Sequence, residues 1–327
     1  MRLKKFPFKI VPKKRLRYRA RGNAIGSPTS DVLLQDLFLE QVKKRPDQWA
    51  IVTPSFSFTY SEIYTRSNQL GYLLRTLGVQ PNTLVAVVME KGWEQVVGVL
   101  GILQAGAAWL PLSPDTPRDQ LWHLLENGKV NWVLTQSWLA EQLEWPQSTP
   151  CIPVDNYELN EASAMPLEQI QKPADLAYMI YTSESAGIFK GVRTNHQEAV
   201  RTIARISRRL GLNHEDRFFS MSPLSSDLWV YAIFGALAVG GTLVMPGPDG
   251  LQTPAHWENR INETQATVWC STPAVLSRFI KFVREQGHFL PGQLRSVLLS
   301  GDPIPASLPE QITSFAKNVQ VISLGDT

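Results

Sequence analysis

A run of small, hydroxyl-bearing and glycine residues near the middle of the chain has the residue types that bind phosphate groups. The apolar segment Leu176–Tyr181 predicts a buried strand, and the polar run follows it directly. Its candidate phosphate-binding residues are Thr182, Ser183, Ser185, Gly187, Lys190 and Gly191. Hydroxyls, backbone N–H groups and a lysine at the carboxyl end of a strand can together hold a polyphosphate. The same composition also suits an ordinary surface loop rich in serine and glycine, so the residues alone leave both interpretations open.

A second candidate for chemistry is Asp227, which stands where the apolar helix Leu228–Val239 is predicted to begin. A partly buried carboxylate at a helix start is stabilised by the helix dipole, and it gains more when a ligand amine approaches. Aspartate is also a common N-cap residue. A plain capping role for Asp227 therefore stays open.

The stretch from residue 176 to residue 192 resembles the phosphate-binding signature of the adenylate-forming superfamily, which reads LAY-x-IYTSGSTG-x-PKGV. The similarity continues to His196, where the family also has a histidine. Three positions depart from the family pattern: Glu184 replaces a glycine, Ala186 a threonine and Phe189 a proline. The resemblance implies that this segment binds ATP.

Glu184 is the departure that bears most directly on nucleotide binding. At about 4 Å and an effective dielectric near 20, repulsion between two unit charges is about 4 kcal/mol. A side chain where the family has a loop glycine also adds about 1–2 kcal/mol if the backbone there is left-handed. Ala186 lacks a hydroxyl that could bind phosphate. We therefore expect this chain to bind ATP poorly.

The segment Ser225–Gly235 resembles a second family pattern, FDLSVYDIFG, found in the amino-acid adenylation domains of nonribosomal peptide synthetases. There the aspartate matching Asp227 is the counter-ion of the substrate's α-ammonium group. The resemblance places six residues in the substrate pocket: Asp227, Leu228, Tyr231, Cys270, Leu298 and Ser300. Five of them match the cysteine-loading type, which has Asn where Cys270 stands. A small, weakly polar pocket of this kind suits a cysteine-like side chain, although core packing alone would also explain Leu228, Tyr231 and Leu298.

Alternating helical and strand patterns from Asp31 onward predict an α/β fold, because continuous apolar strands joined by helices form mostly parallel sheets. The predicted strands are Thr83–Met89, Ala107–Leu112, Asn131–Thr135, Leu176–Tyr181, Phe218–Met221, Thr242–Met245, Thr267–Cys270, Ser296–Leu299 and Val319–Ser323. The polar residues 143–173 are predicted to form a surface connection. The resemblance implies two packed αβ lobes, residues 31–78 with 199–327 and residues 79–198, without the family's β-barrel and C-terminal domain.

Charge is distributed unevenly, because residues 1–22 hold ten of the 32 Lys and Arg and no acidic residue. We interpret residues 1–30 as a basic, disordered tail and linker; docking, nucleic-acid or anionic-membrane contact are the alternatives. The tail has no apolar core, so it does not read as a secretory signal. The two cysteines, without a CxxC motif, predict neither a disulfide framework nor a metal site. These features favour a cytoplasmic protein.

The chain ends at Gly325-Asp-Thr327, before the glutamate that holds Mg²⁺ in the family. We therefore expect a truncated adenylation core that is inactive alone, and we assign no catalytic residue and no metal ligand. The implied ligands are ATP, Mg²⁺ and a cysteine-like amino acid, with other peptide-synthetase proteins or a complementary C-terminal fragment as partners and neither nucleic acid nor membrane. The alternatives are half of a split enzyme completed by another chain, or a non-catalytic interaction module.

Overall fold

The computed structural model describes residues 31–156, 163–183, 189–247, 253–288, 291–305, 307–315 and 319–324. The basic tail predicted for residues 1–30 lies outside this range. Ten helices are present in the described part: α1 (Leu34–Lys44), α2 (Tyr60–Thr76), α3 (Trp93–Ala105), α4 (Arg118–Asn127), α5 (Ser137–Gln142), α6 (His196–Leu210), α7 (Asp227–Val239), α8 (Pro254–Thr264), α9 (Pro273–Glu285) and α10 (Leu308–Phe315).

Thirteen strands of the described part form two sheets, and they confirm the predicted α/β class. The first sheet has the order β13-β12-β11-β9-β10-β1-β2 and the second the order β6-β5-β3-β4-β7-β8. The strands of the first sheet are β1 (Trp49–Val52), β2 (Ser57–Thr59), β9 (Arg217–Ser220), β10 (Thr242–Val244), β11 (Val268–Ser271), β12 (Ser296–Leu299) and β13 (Gln320–Ser323). Those of the second are β3 (Leu84–Val88), β4 (Ala108–Leu112), β5 (Val133–Thr135), β6 (Cys151–Pro153), β7 (Leu176–Ser183) and β8 (Phe189–Asn195).

Pairing is parallel in both sheets except where β1 meets β2 and β7 meets β8. Parallel strands end at the same edge of a sheet, and that edge is where α/β proteins commonly bind ligands. In the first sheet this edge carries the residues that follow β9, β11 and β12. In the second it carries those that follow β3, β5 and β7.

Several helix starts are dictated by the local sequence. A capping box begins α2, because the Thr59 hydroxyl accepts a hydrogen bond from the Glu62 amide and the Glu62 carboxylate accepts one from the Thr59 amide. Thr272 caps α9 with its hydroxyl, and Pro273 occupies the first helical position. Gly106 ends α3 in the left-handed region, with φ of 95°.

One buried core joins the two sheets. It contains Ile51 and Phe218 from the first sheet, Val87 and Trp109 from the second, and the apolar face of α7 between them. Two further clusters cover the outer faces, one beneath α8, α9 and α10 and the other beneath α4. Because alternate strand residues point to opposite faces, Phe218 lies in the shared core whereas Phe219 lies beneath α9.

The predicted surface connection at residues 143–173 is partly wrong, because β6 lies inside it and pairs with β5 at the edge of the second sheet. β6 has only three residues, and all three are half-buried. Such a short edge strand shows no run of alternating apolar residues, so composition alone does not reveal it.

Candidate functional site

Two neighbouring strands present Cys270 and Leu298 side by side. The two residues are register partners in the parallel pair β11–β12, and both side chains are fully buried. Their chain neighbours Trp269 and Val297 belong to the outer cluster beneath α9, so Cys270 and Leu298 face the core shared with α7. The alternation of the strands therefore directs this pair toward α7.

α7 supplies three of the other predicted pocket residues. Leu228 and Tyr231 are buried in the same cluster as Cys270 and Leu298. The Tyr231 hydroxyl hydrogen-bonds with the Ser207 hydroxyl of α6 at 3.2 Å. Asp227, the first residue of α7, is half-buried.

Asp227 is not the N-cap of α7, so the capping interpretation is wrong. Ser226 holds that position, with its hydroxyl accepting a hydrogen bond from the Trp229 amide at 3.1 Å. A serine one residue earlier fills the role equally well, and this leaves the carboxylate of Asp227 in the first helical turn. There it is stabilised by the positive end of the helix dipole.

Ser300 lies directly after β12, at the carboxyl edge of the first sheet. It is half-buried, and its hydroxyl donates to the Leu324 carbonyl at 3.0 Å. The six predicted pocket residues therefore divide into two groups. Leu228, Tyr231, Cys270 and Leu298 are buried together, while Asp227 and Ser300 remain partly accessible at the same edge.

Two titratable residues of this cluster, Cys270 and Tyr231, are uncharged at pH 7. Burial raises the pKa of the Cys270 thiol and the pKa of the Tyr231 hydroxyl well above their ordinary values, so both side chains stay neutral at pH 7. A side chain that contacts them meets sulfur, a phenol and aliphatic carbon. Such surroundings favour an uncharged ligand group.

Lys91 is a buried cation beside this cluster that sequence reasoning did not single out. It follows β3, and its ammonium group donates to the carbonyls of Ser220 at 3.1 Å and Ser222 at 2.7 Å. Burial lowers the pKa of Lys91 to about 7, and the nearby Cys270 thiol acts in the opposite direction. The sequence feature that could have indicated Lys91 is its position shortly after a buried strand, because ligands of α/β proteins bind beside the carboxyl ends of the strands.

Four of the six phosphate-binding candidates lie on the two strands of the antiparallel hairpin β7–β8. β7 continues through Thr182 to Ser183, and Lys190 and Gly191 belong to β8, opposite Thr182 and Tyr181. The prediction that the strand ends at Tyr181 is therefore wrong. Ser185 and Gly187 lie outside the described residues, as do Glu184 and Ala186. The Thr182 hydroxyl donates to the Lys190 carbonyl at 3.3 Å, and both side chains are exposed.

The described part of the hairpin has an exposed ammonium group at Lys190, which suits a phosphate group. The Thr182 hydroxyl would supply a second donor once it turns from the Lys190 carbonyl. Mg²⁺ is different. Within the described ranges no three His, Cys, Asp or Glu side chains converge on a metal position. These residues do not form a Mg²⁺ site by themselves, so we assign no chemical step to that ion.

The two candidate regions lie at edges that face each other. β7 runs parallel to β4, and β4 runs parallel to β3, so the end of β7 and the connection that carries Lys91 share the carboxyl edge of the second sheet. Lys91 in turn hydrogen-bonds to Ser220 and Ser222, at the carboxyl edge of the first sheet.

No helix in the described segments is both long and apolar enough to span a bilayer.

Comparison with known proteins gives a consistent result. The family model described as "AMP-binding enzyme" matches residues 38–325. The anguibactin system regulator of Vibrio anguillarum is 32% identical over 317 residues, which cover 97% of this chain and 30% of that protein. The zwittermicin A synthase ZmaJ of Bacillus cereus is 32% identical over 285 residues, covering 87% of this chain and 54% of that protein.

The solved structures give the same fold. The nonribosomal peptide synthetase FmoA3, in its α-methyl-L-serine-AMP bound form, is 36% identical with a TM-score of 0.85, covering 92% of this chain and 33% of that one. This chain thus spans from about a third to about half of the length of these three proteins. With the fold, the family model and these relatives in agreement, the chain belongs to the AMP-binding enzyme family, as an adenylation domain of the nonribosomal peptide synthetase type.

Proposed function

We propose that this chain is the amino-acid-binding part of an ATP-dependent ligase that forms aminoacyl-AMP. One observation carries the proposal: Asp227 lies half-buried in the first turn of α7, and its chain neighbour Leu228 shares one buried cluster with Tyr231, Cys270 and Leu298. Asp227 would hold the α-ammonium group of the substrate, and Leu228, Tyr231, Cys270 and Leu298 would contact its side chain. The resemblance of both segments to adenylation domains supports the same roles.

Cysteine is the substrate side chain that this pocket suits best. Its two titratable residues, Cys270 and Tyr231, stay neutral at pH 7, because burial raises the pKa of each side chain. Ser300 adds one hydroxyl at the rim, which suits a small, weakly polar group. An ammonium side chain would lose its hydration there without gaining a counter-charge, and a carboxylate would meet only the ammonium group of Lys91, which already donates to two backbone carbonyls. Serine is the closest competitor, because it differs from cysteine by one atom.

The proposed reaction joins the amino-acid carboxylate to the α-phosphate of ATP. The carboxylate oxygen forms a new bond to the α-phosphorus, the bond from that phosphorus to the bridging oxygen breaks, and pyrophosphate leaves. Positioning and charge stabilisation carry most of the rate in such transfers. In this chain Asp227 would orient the amino acid, and the hairpin residues Thr182, Ser183, Ser185, Gly187, Lys190 and Gly191 would hold the phosphates.

We further propose that this hairpin binds ATP weakly and that the 327-residue chain shows little adenylation by itself. Glu184 brings a carboxylate to a segment whose other residues suit an anion, and Ala186 removes a hydroxyl. The ammonium group of Lys190 offsets part of that repulsion. Pyrophosphate exchange in the presence of cysteine and ATP measures the activity directly.

Calorimetric titration of the 327-residue chain with single amino acids tests the proposed pocket. We expect cysteine to bind more tightly than serine, and both to bind more tightly than leucine or aspartate. Asp227→Asn should weaken cysteine binding at least about tenfold, because a charge-assisted hydrogen bond is lost. Asp119→Asn is the matched control, since Asp119 is an exposed acidic residue in the first turn of α4. Equal binding by the chain and its Asp227→Asn variant would contradict the proposal.

A further inference from the structure

Lys91 connects the two sheets through hydrogen bonds to backbone carbonyls. Its side chain leaves the short connection between β3 and α3 and ends at Ser220, the last residue of β9, and at Ser222, two residues further on. Only 8% of the residue is exposed. A lysine held in this way fixes the position of the backbone whose carbonyls it contacts.

The backbone that Lys91 holds leads directly to Asp227. Residues 221–226 join β9 to α7 and contain no helix or strand. The Met221 amide donates to the Cys270 carbonyl at 2.8 Å, which fixes the beginning of this connection on β11. The Ser222 hydroxyl is buried without a hydrogen-bond partner in the described part of the chain, so Ser222 is held through its carbonyl rather than its side chain.

The origin of Lys91 is itself held in place. Gln136 accepts from the Glu90 amide at 2.8 Å and donates to the Glu90 carbonyl at 3.3 Å. Gln95 donates to the Met89 carbonyl at 3.1 Å. The two residues before Lys91 are thereby held by the side chains of Gln136 and Gln95, and the Lys91 side chain continues these bonds to the residues before Asp227.

Stability alone is a weak reason for a lysine at this position. A buried ammonium group loses its hydration, and an apolar side chain of similar shape would avoid that loss. The low pKa of Lys91 reflects the same cost. A residue that is unfavourable for burial yet aimed at two carbonyls of one connection has a positional rather than a stabilising role.

We propose that Lys91 is a positioning residue for the amino-acid site, which holds the connection 221–226 so that Asp227 meets the substrate's ammonium group. This role rests on the proposed function of Asp227. It assigns to the lobe that contains β3 a part in recognising the amino acid as well as in forming the core.

Lys91→Met tests the proposal, because methionine keeps the length of the side chain and removes its donors. The matched control is Gln41→Met, since Gln41 is also buried and donates across elements to a carbonyl of α7, at Ala238 near the other end of that helix. Hydrogen exchange of the unliganded variants is measured by mass spectrometry. Calorimetry gives the affinities for cysteine and for ATP separately.

We expect amide exchange in residues 221–228 to become about tenfold faster or more in Lys91→Met, because a held connection is released. Cysteine binding should weaken about tenfold or more while ATP binding stays unchanged. Gln41→Met should leave exchange in this segment and cysteine affinity unchanged. Unaltered exchange at residues 221–228 in Lys91→Met would overturn the proposal, and so would equal losses of cysteine and ATP affinity.

The exchange result decides the role of Lys91 even if the unsubstituted chain binds no cysteine, in which case the proposed function fails separately. If Lys91→Met does not fold, Lys91→Gln replaces it. Glutamine keeps a polar group but is too short to reach both carbonyls. The same exchange criterion then applies to residues 221–228.

Discussion

The indole nitrogen of Trp229 donates a hydrogen bond to the side chain of Gln95 at 3.0 Å, and both side chains are buried. This bond joins α3 to α7 across the core shared by the two sheets. Gln95 also donates to the Met89 carbonyl at 3.1 Å, so one amide group serves two elements. The start of α7 is therefore anchored by a side chain of α3, the helix that joins β3 to β4 of the second sheet.

Removal of the Gln95 amide should show how much its hydrogen bond to Trp229 contributes to the free energy of unfolding. Gln95→Leu leaves the indole N–H and the Met89 carbonyl without partners, and we expect the free energy of unfolding to fall by about 2–4 kcal/mol. Trp229→Phe removes the N–H donor, so the double variant should lose less than the two single losses added together. Urea unfolding of the four proteins measures this coupling, and strictly additive losses would show that the bond contributes nothing.

The lowered pKa of Lys91 should make the free energy of unfolding depend on pH. Its pKa is lowered from 10.5 to about 7 in the folded chain, so the unfolded chain binds more protons than the folded chain between these values. Stability should therefore increase as the pH rises above about 7, by up to about 1.4 kcal/mol per pH unit. Urea unfolding between pH 7 and pH 8 tests this, because the Cys270 thiol of the unfolded chain, whose ordinary pKa is 9.0, is still mostly protonated there. In Lys91→Met this contribution should disappear, and an unchanged slope would contradict the assignment.

His196 should make the chain sensitive to acid. Its Nδ1 accepts a hydrogen bond from the Leu34 amide at 3.1 Å, and burial lowers its pKa from 6.5 to about 4, opposed by the charge of Asp175. Because the unfolded histidine takes up a proton first, stability should fall as the pH drops from 6.5 toward 4. His196→Asn offers an oxygen near the position of Nδ1 without titrating. Its unfolding free energy should vary less over this pH range, and an equally steep decline would rule out His196 as the source.

Nucleotide affinity should respond to the residue at position 184. Glu184→Gly should strengthen ATP binding by at least about tenfold if the carboxylate repels the phosphates, because even a screened part of that repulsion exceeds 1.4 kcal/mol. Glu184→Gln separates the two causes, since it removes the charge and keeps a side chain. Calorimetric titration with ATP measures both variants. No change in either would count against phosphate binding by this hairpin.

The sequence predicted the long elements well because their patterns are strong. β12 has the bounds that were predicted, and β4 differs from its predicted bounds by one residue, since both are buried and mainly apolar. β8 was interpreted as part of a loop. It is an exposed edge strand with a mixed, polar sequence, and its pairing to β7 depends on backbone bonds rather than on buried side chains.

The residues of the candidate site could be predicted only in part from the sequence. Neighbours such as Cys270 and Leu298 could be grouped through the family resemblance, and the structure shows that strand register places them side by side. Lys91 could not be placed, because its two partners are more than 120 residues away and are backbone carbonyls, which carry no signal in residue type. The assignment of the six residues to a substrate pocket and the lobe boundaries remain predictions.

The pairing of β1 with β10 has a consequence for how the polypeptide matures. Ile51 lies opposite Leu243, 192 positions later in the chain. On the ribosome, β1 and β2 emerge long before their neighbour exists, whereas β3 to β8 form a sheet from one continuous stretch. The second sheet can therefore assemble first, while the β1–β2 hairpin exposes apolar surface until β10 has been synthesised. Exposed apolar surface favours aggregation, so we expect a chaperone to matter most during that time.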